Sequence, residues 1–386
     1  TWGCAGVGLN PLHALFDDRP ADCSPYAPNS RLFLNTLYID WTNVPELPRG
    51  WIDARAGELA RAQQSELVDY DTVALLKRAA AREAFQVFKE HAGADRRENF
   101  ETFLRRRGHS LRYFACFEVM RKKLSSAWWD WPEQWRRPSD SMIDALRSGE
   151  YADEMSFVEF TQWIADQQLA ACAETAKRVG MKIGLYLDVA VGVQAGGFDA
   201  WYEQTAISRS LSVGAPPDAL NTAGQDWGLS GFSGPGLRAR SFEPLRDILE
   251  STMRYAGANR LDHVMGLRRI FLIPQGVSAR DGVYIDMPFH EMAGVIAEAS
   301  QQFRCIVIGE DLGTVPDGLR DQLKSRGILS YTVMMFERNG VDFIDPSDFR
   351  INSLVTFNTH DLATFKGWNT GWDIATKQML GIDPGE

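Results

Sequence analysis

Cysteine is scarce in this chain, histidine is nearly as scarce, and long apolar runs are missing. The five cysteines (Cys4, Cys23, Cys116, Cys172, Cys305) form no CxxC pair and keep no regular spacing, so they outline no disulfide framework. Free thiols in a reducing compartment, the cytoplasm, are the simplest account. With six histidines and no Cys/His group at ligand spacing, no structural zinc site is expected. No apolar stretch approaches the roughly 20 residues that a membrane span needs. Positive charge occurs only in short clusters such as Arg105-Arg106-Arg107, and the formal net charge is −10. That balance argues against nucleic acid as a partner, and nothing in the sequence points to a membrane or a protein partner.

The chain does have material for a large core. Its 386 residues are 45% apolar, enough for one barrel with insertions or for two domains. Twelve tryptophans suit a carbohydrate binder, because indole faces stack on sugar rings, although Trp is also ordinary core material. The chain begins at Thr1 rather than Met, inside the apolar stretch Cys4-Ala5-Gly6-Val7-Gly8-Leu9, which reads as a fragment of a longer protein. That stretch has the wrong glycine order for a nucleotide-binding loop.

Three short apolar runs end on acidic residues: Arg260-Leu261-Asp262-His263, Cys305-Ile306-Val307-Ile308-Gly309-Glu310, and Leu354-Val355-Thr356-Phe357-Asn358-Thr359-His360-Asp361. Parallel strands of a (β/α)8 barrel carry their chemistry at their C-terminal ends. Asp262, Glu310 and Asp361 are therefore candidate catalytic residues, and Asp188, after Lys182-Ile183-Gly184-Leu185-Tyr186-Leu187, joins them with less force. Residues i and i+2 of a strand share a face, so Arg260 and Asp262 should point together with His263 turned aside. A guanidinium beside a carboxylate favours its ionised form. An isolated Arg-x-Asp is more often a structural ion pair; two further acidic tips weaken that explanation. Glu310 ends a wholly apolar strand, and burial near other carboxylates should keep it protonated near neutrality, as a general acid requires. Asp311 should face away and make a local backbone contact. His360 could donate to a substrate hydroxyl.

Two carboxylates flanking one bond, with a third in support, fit glycoside chemistry. An Asp/Glu/Asp set could instead hold Mg²⁺ for proton abstraction. Against that, no Lys-x-Lys base lies on a strand, and Arg260 beside Asp262 would repel a metal. No metal or organic cofactor is expected.

Strand and helix patterns alternate from about residue 155, with Phe157, Phe160, Ile164 and Ala171 near helical spacing, Gly180 as a stop, and Pro288 at a plausible first helical position before Met292, Ile296, Ala299 and Phe303. This order implies a parallel sheet. Residues 50–155 read as a helical insertion, with Val73, Leu76, Ala80, Ala84 and Phe88 on one packing face. Residues 212–241, rich in Gly, Pro and Ser, read as a long irregular loop that Gly224, Gly228, Gly231, Gly234 and Gly236 would let move as a lid.

Seven segments in order resemble the amylomaltases, the 4-α-glucanotransferases of glycoside hydrolase family 77. They are Gly8-Leu9-Asn10-Pro11-Leu12-His13-Ala14-Leu15-Phe16; Ser24-Pro25-Tyr26 through Leu37-Tyr38-Ile39-Asp40; Gly184 through Val193; Gly214-Ala215-Pro216-Pro217-Asp218 with Gly224-Gln225-Asp226-Trp227-Gly228; Arg260-Leu261-Asp262-His263; Gly309-Glu310-Asp311-Leu312-Gly313; and Thr359-His360-Asp361. The resemblance implies an α/β fold, a (β/α)8 TIM barrel of the α-amylase type with helical insertions, truncated at both ends. It divides the chain into a barrel segment over 1–49, the helical insertion over 50–155, and barrel strands three to seven with the lid over 156–386. It implies a retaining transferase acting on maltooligosaccharide donor and acceptor, with Asp262 as nucleophile, Glu310 as acid/base and Asp361 as transition-state stabiliser. Arg260, His360, Asp188, Tyr26, Asp218, Gln225 and Trp227 then match substrate-binding positions. A maltodextrin hydrolase and a catalytically silent glucan-binding fragment are the alternatives. Ser230-Gly231 stands where relatives often carry prolines, which implies a looser lid.

Overall fold

The structure, a computed structural model, describes residues 3–218 and 221–381. The expected outer limits at 1 and 386, and positions 219–220 of the glycine-rich segment, lie outside the described residues.

Six short parallel strands form one arc. They are β1 (Gly6–Gly8), β2 (Gly184–Val189), β3 (Ala258–Leu261), β4 (Ile306–Gly309), β5 (Ser330–Val333) and β6 (Ser353–Thr356). Their spatial order follows the chain. β4 and β5 join through the hydrogen bonds Gly309 N to Leu329 O (2.8 Å) and Leu329 N to Val307 O (2.9 Å). Strands such as Ile306-Val307-Ile308 lack the polar alternation of a sheet with one wet face, as expected where helices cover a parallel sheet. The register sets Asp188 beside Arg260 and Arg260 beside Ile308. The C-terminal ends that carry the acidic residues therefore sit side by side. Among the described residues β1 and β6 are not paired to each other, so the arc has two edges.

Five longer helices flank this arc: α1 (Tyr70–His91), α2 (Ala94–Leu124), α3 (Ala152–Arg178), α4 (Glu243–Met253) and α5 (Phe289–Phe303). Asp69 caps α1 by accepting from Thr72 N at 3.0 Å, which satisfies one of the first-turn donors. α2 bends at Gly108, whose φ of 52° and ψ of −127° interrupt the helix. Pro288 precedes α5 as its cap, one position before the first helical residue, and its ψ of 69° lies outside the helical region. Phe88, Phe100, Phe160 and Trp163 pack with centroids 5.1–5.9 Å apart and join α1, α2 and α3. Burying aromatic side chains of this size contributes about 2–3 kcal/mol each. One hydrophobic core runs without a break from these helices to β2, β3 and β4. No helix among the described residues is long and apolar enough to cross a membrane.

The segment 212–241 differs from the irregular loop expected of it. Strands Leu211–Ala215 and Gln225–Ser230 pair antiparallel, and a short helix follows at Gly234–Ala239. The hairpin belongs to a five-stranded antiparallel sheet completed by Arg269–Pro274, Val283–Asp286 and Val193–Gln194. Its order comes from partners distant in sequence, which override weak local strand propensity. The glycines also divide into two kinds. Gly224 and Gly228 have φ of +73° and +66°, the left-handed region that favours glycine. Gly231 and Gly236 are there for close approach: a Cβ would lie 2.6 Å from Val213 Cγ2 and 2.0 Å from Thr205 O, respectively. Ser230 and Gly231 are buried within this packing, so the expected loosening at that pair is not what the fold shows.

Candidate active site

The floor of the site is a chain of charges across three strand ends. Arg260 Nη1 reaches Asp188 Oδ1 and Oδ2 at 3.0 and 2.9 Å and Asp262 Oδ1 at 2.9 Å. The i, i+2 geometry places Arg260 and Asp262 on one face, as the pattern implies. Tyr26 donates its hydroxyl proton to Asp188 Oδ2 at 2.7 Å. Burial alone would lower the Arg260 pKa, but Asp188, Asp262 and Glu310 outweigh it and raise it further. Arg260 is therefore a fixed cation at the centre of three acidic side chains.

Glu310 follows β4 and is buried. Its Oε2 accepts from His263 N at 3.0 Å and its Oε1 from Leu312 N at 2.6 Å. Burial, and then the charge of Asp262, push its pKa up to about 7, against the opposing pull of Arg260 and the two backbone donors. These bonds fix the carboxyl in place while burial disfavours its charge. A carboxyl that keeps its proton near neutrality, beside a carboxylate gripped by a guanidinium, can supply a proton and a nucleophile to one bond.

The rim is built from later segments. The Tyr26 and His360 rings stack with centroids 4.0 Å apart and an 8° angle. Tyr26 thus ties the tip of β2 to the segment after β6. A cleft of about 380 Å³ opens here, lined by Asn10, Tyr26, Asp188, Arg260 and His360 among others. Asp361 is not drawn into the floor. Its side chain is 79% exposed, and His360 Nε2, at 3.3 Å from Oδ2, is its ionic neighbour. Trp227, on the hairpin, meets His263 edge to face at 5.1 Å and donates to Gln225 Oε1 at 3.2 Å. Asp218 lies at the hairpin's turn, where its Oδ1 accepts from Asn221 N at 2.6 Å. Trp227 also lines a second, wider cleft with Arg19, Cys23 and Trp129. Tyr26, Asp188, Arg260, Asp262, Glu310 and His360 therefore come together, Asp361 joins them through its contact with His360, and Asp218, Gln225 and Trp227 sit on the hairpin.

Several residues at the site were not among the expected ones. Tyr186 and Tyr331 line the smaller cleft. Tyr186 precedes Asp188 by two residues on β2, so the i, i+2 rule would have placed it on the same face. His263 is turned aside, with φ of 49°, yet its backbone N–H holds Glu310, a contact that no sequence pattern announces. Asp311 does more than make a local contact: its Oδ1 accepts from Tyr331 N at 2.9 Å, and its Oδ2 pairs with Arg320 at 2.7 Å. It fastens β5 beside β4. Among the described residues no group of three or more His, Cys, Asp or Glu could hold a metal ion.

Comparison with known proteins gives a consistent result. Residues 1–380 match the glycoside hydrolase family described as 4-alpha-glucanotransferase. A 4-alpha-glucanotransferase of Haemophilus influenzae is 34% identical over 100% of this chain and 58% of its own length. One from Mycobacterium tuberculosis is 33% identical over 98% of this chain and 54% of its own. The chain therefore spans a little more than half the length of these curated relatives. Among solved structures, amylomaltase from Corynebacterium glutamicum superposes with a TM-score of 0.83 at 31% identity, covering 98% of this chain and 53% of that one. Amylomaltase from Streptococcus agalactiae in complex with acarbose has a TM-score of 0.80 at 21% identity, covering 96% and 75%, a likeness of fold.

Proposed function

Because the chain belongs to the 4-alpha-glucanotransferases of glycoside hydrolase family 77, with their barrel-type α/β fold, we propose that it carries the catalytic centre of an enzyme that moves α-1,4-glucan segments between maltodextrins by a retaining double displacement. The observation that carries this reading is Glu310, held near pKa 7 by burial and by Asp262 while Arg260 grips Asp262.

Glu310 gives its proton to the glycosidic oxygen as Asp262 attacks the anomeric carbon, which forms a β-glycosyl ester and releases the leaving chain. The Glu310 carboxylate then takes the proton of an acceptor 4-hydroxyl, and that oxygen displaces the ester. Asp361 stabilises the positive charge that develops on the sugar. Arg260, Asp188, His360 and Tyr26 bind and orient the donor sugar, and Asp218, Gln225 and Trp227 cover the acceptor side. A Trp face over that side favours a sugar acceptor above water by excluding solvent. Only these side chains are needed, with no metal or cofactor. The helices within 50–155 serve as an insertion subdomain that supports one wall of the site. The cytoplasm is the proposed compartment, in keeping with five free thiols.

Incubation with maltotriose and separation of the products by size tests the reading. Glucose together with oligomers longer than the substrate is the expected result. Glucose and maltose alone would mean hydrolysis, and an unchanged substrate would count against a working centre in this chain.

A further inference from the structure

We infer that Glu118, on helix α2 and outside the charged floor, is a positioning residue that sets Tyr26 by bracing the loop that carries it, at one end directly and at the other through Arg121; the effect on transfer rests on the proposed role of Tyr26. The loop leaves β-paired Ala14 and returns at Asn29. The two oxygens of Glu118 divide the task of holding it. Oε1 accepts from Asn29 Nδ2 at 2.7 Å, at the end of the loop. Oε2 accepts from Arg121 Nη2 at 2.8 Å, and Arg121 reaches Asp17 Oδ1 at 3.0 Å and Asp18 Oδ1 at 2.5 Å, at its start. Lys122 adds a contact to Asp17 Oδ2 at 2.6 Å. Asn29 is fully buried, and its Oδ1 accepts from Phe198 N at 2.8 Å, so its side chain cannot turn to another partner without leaving a buried donor unmade.

Between these anchors the loop has little order of its own. Its internal backbone bonds are Asp22 N to Arg19 O, Ala27 N to Ser24 O and Arg19 N to Phe16 O. Gln194 supports it near the far end, donating from Nε2 to Ala27 O at 2.9 Å. Tyr26 must nevertheless satisfy two demands at once, the 2.7 Å bond to Asp188 and the 4.0 Å stack on His360. A displacement of about 1 Å at such a group is enough to cost a large factor in rate. One buried carboxylate that holds the far end of the loop directly, and its start through Arg121, adds to the required rigidity. Together with Arg121 and Lys122 it couples the helices to the rim of the site.

The test uses Glu118→Gln and Glu118→Ala, with Glu46→Gln, which loosens a different, partly buried pair at Arg96, as the control. Cys23 lies within the loop and is half-buried, so its alkylation by iodoacetamide, read by peptide mass, reports loop opening without any need for activity. The expected result is a rise of about fivefold in the Cys23 rate for both Glu118 variants, from a lower cost of local opening, and none for Glu46→Gln. A rate unchanged in the Glu118 variants, or raised equally in the control, would overturn the inference. The second arm measures maltotriose transfer in a cycle with Tyr26→Ala. Glu118→Gln should cost about tenfold alone and nothing further in the Tyr26→Ala background; losses that multiply would show that Glu118 does not act through Tyr26. If the wild-type chain makes no transfer products, the functional reading fails by itself and the alkylation arm still decides the loop.

Discussion

The floor of the site and its far rim are built by opposite means. On β2, β3 and β4, Asp188, Arg260 and Glu310 are buried, with Asp262 beside them, bound to one another and to backbone donors at 2.6–3.0 Å. After β6, Asp361 is mostly exposed and His360 is held chiefly by its stack on Tyr26. Under the proposed function, the difference separates two jobs. Proton transfer and nucleophilic attack need charges whose surroundings are fixed before the substrate arrives. A group that only answers charge developing on the sugar can take up its position around the bound substrate. The site is therefore preorganised where its pKa values matter and open where a chain must enter.

Substitutions on the two sides should differ in what they cost. The largest expected effect is at Asp262: Asp262→Asn should lower maltotriose transfer by at least about 1,000-fold, and near wild-type turnover would remove it as nucleophile. Asp361→Asn should lower transfer nearly as much, yet leave the thermal midpoint unchanged, because its carboxylate is exposed; a large loss of stability would mean that the rim is as tightly built as the floor.

Glu310 should show the reverse signature in stability. Its folded pKa of about 7 lies above the ordinary value of 4.5. The folded state then binds the extra proton between these values, so this group's contribution falls as pH rises from 4.5 to 7, by about 3 kcal/mol in all. Glu310→Gln should therefore raise the thermal midpoint relative to wild type at pH 8 and leave it nearly equal at pH 4, while transfer is lost. Thermal melts at the two pH values check this, and an equal shift at both would contradict it. Tyr26 gives the smallest and most discriminating effect. Tyr26→Phe keeps the stack on His360 and loses the bond to Asp188, so transfer should fall by a few fold, against about a hundredfold for Tyr26→Ala; equal losses would assign the whole effect to the hydroxyl.

The same contrast marks what the sequence discloses. The floor is legible because an acid at the end of an apolar run is a local pattern, and two-residue periodicity sets Arg260 and Asp262 on one face. The burial that raises Glu310 follows from the same apolar run. Tyr26 has no such pattern; only the family resemblance singles it out, since its partners Asp188 and His360 lie far along the chain. The antiparallel sheet is not legible for a related reason. Leu211–Ala215 pairs with Arg269–Pro274, and neither segment signals the other. A glycine that permits close packing, such as Gly236, looks the same in sequence as one that turns the chain, so glycine content alone suggests hinges there. Backbone contacts made by side chains, His263 N to Glu310 among them, leave no trace in residue spacing.

The proton on Glu310 is read most directly by a carbon-13 NMR titration of its carboxyl in glutamate-labelled protein, assigned by comparison with Glu310→Gln. Burial beside Asp262 predicts a midpoint about 7. A midpoint near the ordinary 4.5 would show that Glu310 is ionised at neutral pH and would contradict its role as the proton donor.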